Sequence, residues 1–358
     1  MHDQVLAAYG FPADTSVSPH GSGLINHTWH VHSGKGDFIL QRLNDAVFTR
    51  PDFIAENIEM VGRYLTDHYP GTVFPRPVRS VDGETMIDAR PNGFYRMFPY
   101  IGDSVTIDVV QTPAEAFEAA RQFGAFTRML SGFPTRRLHE TLPGFHDLTL
   151  RYRAFDAALK DGLPDRIRTS SHLIEFLVSQ QPLVAEFEHI RSNPDFRKRV
   201  THHDTKISNV LFDRNGKGIC VIDLDTVMPG YFISDVGDMF RTYLSPVSEE
   251  EGDMSRICVR EEYFAAIVEG YLKEMSGVLT PAEKGSFVYA GEFMLYMQAL
   301  RFLTDYLCGD KYYGSRYNGH NYIRTLNQIT LLERFLQQSP MLRDITAQIT
   351  GSDHPPTA

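Results

Sequence analysis

The stretch THHDTKISNVLF (201–212), followed by ICVIDLDTVMPG (219–230), decides how this chain is read. It sets His202, Asp204, Lys206, Asn209, Asp223 and Asp225 in an otherwise apolar run, with Asn215-Gly216 as the turn between two strands. Such a hairpin places Asn209, at the start of one strand, opposite Asp223, near the end of the next. Period-two alternation then puts Asp223 and Asp225 on one face. An amide carbonyl, a carboxylate and a second carboxylate converge, an oxygen donor set that suits a hard cation such as Mg²⁺ with positions left for water or phosphate. Asp204, just ahead of these donors, can orient a hydroxyl and accept its proton, while Lys206 can neutralise charge on a transferred phosphoryl group. Phosphoryl transfer is the chemistry to expect.

Outward from this island the chain changes character. On the N-terminal side, Leu24 to Val31 and Asp37 to Leu43 read as a hairpin behind Gly21-Ser22-Gly23, and Ile54, Ile58, Val61 and Leu65 recur at helical spacing from Pro51 to about Tyr69. Two more strand candidates flank the turn at 81–85, the second ending in FYRMF (94–98). Beyond Pro99 the period becomes 3.6. Thr112-Pro113-Ala114-Glu115 and Thr280-Pro281-Ala282-Glu283 are both capping boxes with a first-turn proline, the second opening a long helix through about Leu307. The reading is an α+β chain with a small mixed β-rich lobe over residues 1–98 and a larger, mainly helical lobe over 99–358. The last residues, ITGSDHPPTA (349–358), read as a loose tail.

The order of His202, Asp204, Lys206 and Asn209, then Asp223 after a short hairpin, resembles the catalytic core of the aminoglycoside phosphotransferase and choline kinase family. Closer still, HHDTKISNVLFD (202–213), VIDLDTVMPG (221–230), DVGDMFR (235–241), YRMFPYI (95–101) and RFLTDYLCGDKYY (301–313) resemble the N-acetylhexosamine 1-kinases, bacterial sugar kinases that phosphorylate the anomeric hydroxyl of N-acetylglucosamine or N-acetylgalactosamine. The resemblance implies a two-lobed protein-kinase-like fold with ATP beneath the small lobe and Mg²⁺ as cofactor. It makes Asp204 the catalytic carboxylate, Lys206 a phosphate-side cation, and Asn209 and Asp223 the metal ligands. Asp225 is left between metal contact, a sugar-facing place and a hydrogen-bonded structural role. Asp235 and Asp238 match the family's acidic motif after the metal strand, where an acidic residue either braces the catalytic-loop backbone or caps a helix.

Gly21 and Gly23 would let a bend approach the ATP phosphates. Protein kinases use a third-strand lysine there, paired to a helix glutamate. This chain has Gln41-Arg42 instead, so Arg42, on one face with Phe38 and Leu40, becomes the expected phosphate cation with Glu59 or Glu56 as its partner. Backbone groups of Met97 and Phe98 would read the adenine edge, flanked by Leu40 and Phe212. Arg301 shares a helical stripe with Ala290, Met294 and Met297, so its charge sits on an apolar face and needs partners, either the acceptor sugar or a carboxylate such as Asp305. Tyr312 and Tyr317 can supplement that site.

Lys plus Arg number 35 against 45 Asp plus Glu, a net charge of −10, which disfavours duplex nucleic acid as a partner. Cys220, Cys258 and Cys308 are too few and too far apart for a disulfide framework or a compact zinc site. With no basic leader in MHDQVLAAYGFP and no apolar run long enough to span a bilayer, a soluble cytoplasmic protein is expected. The partners expected are ATP and a small acceptor. Another sugar, an amino alcohol or an aminoglycoside are alternative acceptors, and a non-catalytic nucleotide-binding protein is a more distant reading. The choice between the two N-acetylhexosamines and the oligomeric state lie beyond the sequence.

Overall fold

The computed structural model describes residues 3–12, 14–21 and 25–351. Ser22, Gly23 and Leu24 of the expected glycine bend lie outside the described residues, as does the tail from 352 onward. The fold is two-lobed and kinase-like, a small mixed β lobe and a larger helical one. By compactness the chain gathers into two units. One holds Met1–Val105, Met129–Pro143 and Leu211–Pro229, and the other holds Thr106–Arg128, Gly144–Val210 and Gly230–Ala358.

The first unit is built on a five-stranded antiparallel sheet. Its spatial order is Ser16–Pro19, His27–Ser33, Gly36–Arg42, Phe94–Pro99 and Ile87–Asp88. The hairpin pairs His27 with Arg42 and Ser33 with Gly36. Only one of the two strands expected around 81–85 forms among the described residues. Pro75 and Pro77 remove ladder donors from the segment before the turn, which keeps the bonds from Val78 N–H to the Met97 carbonyl at 2.7 Å and from Ser80 N–H to the Glu84 carbonyl at 2.8 Å without forming a strand. One face of the sheet buries Val31, Leu40, Tyr95 and Met97 against Val5 and Leu6 of helix Asp3–Ala8 and the Tyr9 and Phe11 that follow it.

Helix Pro51–His68 buries Ile54, Ile58, Val61 and Leu65, the stripe its spacing requires. Asn57 lies on the same buried side. Its amide nitrogen donates to the carbonyls of His139 (2.9 Å) and Val227 (3.0 Å), and its oxygen accepts the His139 N–H (2.9 Å). One side chain therefore ties the helix to both distant segments of its unit.

The second unit is organised by Phe287–Leu307, buried along nearly its whole length, as expected of a helix apolar on all sides. Packed on it are Leu148–Asp161, Phe232–Tyr243 and His320–Thr350. A Cβ on Gly237 would stand 2.3 Å from the Ala290 carbonyl oxygen, so only glycine permits the close crossing of helix Phe232–Tyr243 over the central one. Both capping boxes form. Thr112 and Glu115 exchange backbone bonds at 3.2 Å each, and Thr280 and Glu283 do so at 3.1 and 2.9 Å.

The second box does not start the long helix directly. It opens a single turn, Pro281–Lys284, that ends at Gly285 before Phe287 begins the next helix. Glu283 has a second duty that anchors this turn, a buried bidentate pair with Arg199 at 2.5 and 2.9 Å. Thr280→Ala removes the cap bond and the hydroxyl's bond to the Asp195 carbonyl (2.9 Å) while leaving that ion pair. We expect it to lower unfolding free energy by about 1 kcal/mol, read from the urea midpoint.

Candidate active site

The loop 202–209 carries a positive backbone angle at a non-glycine residue, His203, with φ of +66°. This conformation is costly and persists only where surroundings hold it. Three side chains of helix Phe232–Tyr243 do so. Asp235 accepts the N–H groups of His202 (3.0 Å) and His203 (2.7 Å), Asp238 accepts the Thr205 N–H (2.7 Å), and the Tyr243 hydroxyl donates to the Thr205 carbonyl (2.5 Å). The bracing role read for Asp235 and Asp238 is thus present in both. Gly230 completes the fit, since a Cβ there would lie 2.4 Å from His203 Nε2. His202 is fully buried, its ring edge-on to Phe123, consistent with loop support.

Within the loop so held, Asp204 Oδ2 accepts Lys206 Nζ at 2.9 Å and Asn209 Nδ2 at 3.0 Å, and the same Asn209 nitrogen reaches the Asp204 carbonyl at 2.9 Å. Burial pushes the Asp204 carboxyl up, but the Lys206 ammonium, His202 and the two hydrogen bonds outweigh it and hold the group below its ordinary value. It is ionised at neutral pH. With its nitrogen committed to Asp204, the Asn209 side-chain oxygen keeps no bond among the described residues, and an amide oxygen is a donor that fits Mg²⁺.

Asp223 belongs to the first unit and follows a two-stranded hairpin, Val210–Phe212 with Gly218–Val221. The alternation expected for Asp223 and Asp225 fails, because the strand stops at Val221. Asp223 turns left-handed at φ 61° and ψ 62°, and a short 3₁₀ turn, Leu224–Thr226, follows. Asp225 is buried at 2 % exposure, paired with Arg96 and accepting Asn26 Nδ2 at 2.7 Å. Of the roles left open for it, this is the hydrogen-bonded structural one.

The arginine expected beside the phosphates also differs. Arg42 Nε donates to the Asn92 carbonyl at 2.7 Å, and Glu59 pairs with Arg63, Arg76 and Arg79 instead of Arg42. Glu56 meets His139 at 2.6 Å. Leu40 is fully buried in the core on the same side as Met97, away from the alternate face that carries Gln41 and Arg96, so it does not flank a ring there. Met97 itself is buried with its carbonyl taken by Val78, whereas Phe98, opposite Ile39, is half-buried. Gly21 is described and adopts φ of +73°.

The residue sequence reasoning passed over is Arg96, 2 % exposed and held by Gln41 Oε1 through both Nε (3.0 Å) and Nη2 (2.9 Å). The signal was available: a lone arginine alternating with Tyr95 and Met97 in FYRMF must point to the face that Gln41 shares.

Arg301 is half-buried. Its Nη1 donates to Gln298 Oε1 at 3.1 Å, and its guanidinium lies over Phe145 (5.1 Å) and Tyr313 (5.4 Å). The alternative partner named above, Asp305, instead accepts the N–H groups of Tyr312 and Tyr313. Phe145 stacks on His146 at 4.4 Å, and His146 meets His203 at 5.2 Å, so an unbroken row of rings leads from Arg301 to the loop 202–209. Tyr312 is exposed, and Tyr317 packs on His320.

Solved structures share this fold along nearly the whole chain. A microcompartment-associated aminopropanol kinase is 19% identical, with 94% of this chain and 97% of that one covered at a TM-score of 0.64. An aminoglycoside phosphotransferase from Alicyclobacillus acidocaldarius is 12% identical over 97% and 94% at 0.59, and an ethanolamine kinase from Plasmodium vivax is 12% identical over 94% and 88% at 0.58. No described helix is long and apolar enough to cross a membrane. The phosphotransferase enzyme family model matches residues 16–276, which takes in the sheet, the braced loop and the hairpin before Asp223 alike, and the chain belongs to that family.

Proposed function

We propose that this protein is an ATP-dependent kinase that phosphorylates a hydroxyl of a small molecule, with the anomeric hydroxyl of an N-acetylhexosamine as the first acceptor to test. The observation that carries the kinase reading is Asp204, an ionised carboxylate fixed by Asn209 and Lys206 on a loop whose strained backbone is strapped from one helix. A carboxylate held below its ordinary pKa is a weak base. Its contribution is to orient the hydroxyl and to take the proton late, which suits a loose phosphoryl-transfer transition state. Lys206 would pass from Asp204 toward the phosphoryl oxygens, and Asn209 with Asp223 would hold Mg²⁺. Bound with the nucleotide, that ion supplies charge neutralisation for the phosphates. Residues 1–98 serve as the nucleotide lobe and 99–358 as the catalytic and acceptor lobe. Gly21, Gly23, Met97 and Phe98 stay assigned to the nucleotide only through the family resemblance. Arg42 and Glu59 are withdrawn because each is engaged elsewhere, and Arg96 joins the lobe as the buried support of Asp225.

The named structures act on an amino alcohol, an aminoglycoside or ethanolamine, and this breadth supports a small hydroxyl acceptor in general at least as well as an N-acetylhexosamine. The sugar reading draws on the wording of the motifs and on Arg301, whose planar donors match hydroxyl and acetamido oxygens. A panel of N-acetylhexosamines, other sugars, choline, ethanolamine and aminoglycosides, with the phosphate located by phosphorus NMR, decides between them. We expect a sugar 1-phosphate as the major product. A tenfold preference for choline or an aminoglycoside would overturn the sugar reading and leave the kinase reading standing.

A further inference from the structure

A cavity of about 260 Å³ opens between helix Leu148–Asp161, the end of helix Phe287–Leu307 and the loop after it. Its charged lining is Arg151, Arg301, Lys311 and Asp305, with Tyr312 and Tyr313 beside them. The single carboxylate is already engaged. Asp305 accepts the N–H groups of Tyr312 (2.7 Å) and Tyr313 (2.9 Å) and the amide of Asn321 (3.2 Å), and it is 5 % exposed.

The two arginines have no such counter-charge. Arg301 keeps Gln298 and two ring faces. Arg151 donates Nη2 to the carbonyls of Gly144 and Phe145, both at 3.1 Å, and its Nε is buried with no partner. Neither forms an ion pair among the described residues. Other arginines of this unit are treated differently: Arg199 has Glu283, Arg241 has Asp238 and Glu249, Arg324 has Glu249, and Arg166 has Asp310. The nearby acids Asp310 and Asp147 are turned to Arg166 and Arg191. Burial, then the charge of Arg301, lower the Arg151 pKa, as expected of like charges sharing poorly solvated space. Two guanidinium groups around a cavity with an orphaned buried donor are stabilised when a negative charge enters it.

We propose that this cavity is an oxyanion subsite of the acceptor pocket, taking a carboxylate, phosphate or sulfate group. It rests on the reading that Arg301 faces the acceptor. The anion is either a substituent of the acceptor, as in a sugar acid or a sugar phosphate, or a free oxyanion that competes with a neutral acceptor. Both share the chemistry of planar N–H donors meeting charged oxygens. A quaternary ammonium or a polyamine meets net repulsion here, because three cationic side chains face a single carboxylate.

The test has two arms on the full chain. In the first, melting temperature is followed with sulfate added while AMP-PNP and Mg²⁺ saturate the nucleotide site, against chloride at matched ionic strength. We expect a saturable rise that needs at least tenfold more sulfate in Arg151→Gln. Lys311→Glu, a change on the exposed rim, gives the same direction should Arg151→Gln fold poorly. In the second, steady-state kinetics compare N-acetylglucosamine, its 6-phosphate, glucuronic acid and choline, with sulfate as inhibitor. Turnover of an anionic sugar at a lower KM than its neutral parent identifies the acceptor's own group as the source. Sulfate inhibition competitive with a neutral acceptor identifies the free ion. No saturable stabilisation, or stabilisation unchanged in both variants, overturns the subsite. Stabilisation lost in the variants without competition or anionic preference overturns its place in the acceptor pocket. Absence of turnover on every acceptor overturns the kinase reading instead, and the melting arm still reports on the anion.

Discussion

Asp204→Asn is expected to lower kcat by about 10³-fold or more while the affinity for ATP stays within about twofold of wild type, the range set by loss of a positioned acid–base group. The amide keeps one oxygen, so the bond from Lys206 Nζ can persist, and the loop is held by Asp235, Asp238 and Tyr243 whichever side chain stands at 204. Folding should therefore be little affected. What disappears is the negative charge that aligns a hydroxyl and receives its proton. Because Lys206, His202 and Asn209 hold the wild-type carboxyl below its ordinary value, the acid limb of kcat/KM caused by this group falls below the usual carboxylate range. Steady-state rates with nucleotide titration check the first claim and a pH–rate profile the second. Turnover within tenfold of wild type would remove Asp204 from the chemistry.

How much of this was readable without coordinates follows from how local each interaction is. Asp204, Lys206 and Asn209 contact one another inside a single loop, so their spacing in the chain already carried the geometry. The two capping boxes were readable for the same reason. The alternation argument for Asp223 and Asp225 failed because it assumed the strand ran on. The left-handed turn at Asp223 breaks the period, and nothing in the spelling VIDLD announces it. Arg96 and Asp225 find each other across 129 positions, and Asn57 reaches both His139 and Val227. Pairings of that kind depend on how a whole unit packs, which periodicity does not encode.

Arg42 and Glu59 show the opposite hazard. A template from protein kinases supplied a pair, but Gln41 and Arg96 occupy the alternate strand face, and three surface arginines are within reach of Glu59. A residue type in an expected position is a weaker guide than the face it occupies.

The strap on the loop 202–209 gives the second large effect. Asp235 is fully buried and accepts two backbone N–H groups, so Asp235→Ala leaves both donors without a partner in a dry setting. Each orphaned donor costs about 1–3 kcal/mol, which puts the loss of unfolding free energy at about 2–6 kcal/mol. His203 would then relax from its positive φ, displacing Asp204 and lowering turnover by at least about tenfold, since small misplacements near reacting atoms have large rate effects. Asp235→Asn keeps one acceptor and falls between alanine and wild type. The pH dependence separates this role from simple loss of packing. Burial, reinforced by the charge of Asp238, raises the Asp235 carboxyl to about 7 despite its two donors. In the unfolded chain the group titrates at roughly 3.9. Between those values the folded state keeps a proton that the unfolded state has released, so stability from this group is fully present below the unfolded value and is lost as pH rises towards 7. Alanine has no proton to hold. Urea midpoints taken from roughly pH 4 to 7 should accordingly decline less steeply in Asp235→Ala than in wild type, and parallel curves would show that the carboxyl is already ionised when it grips the loop.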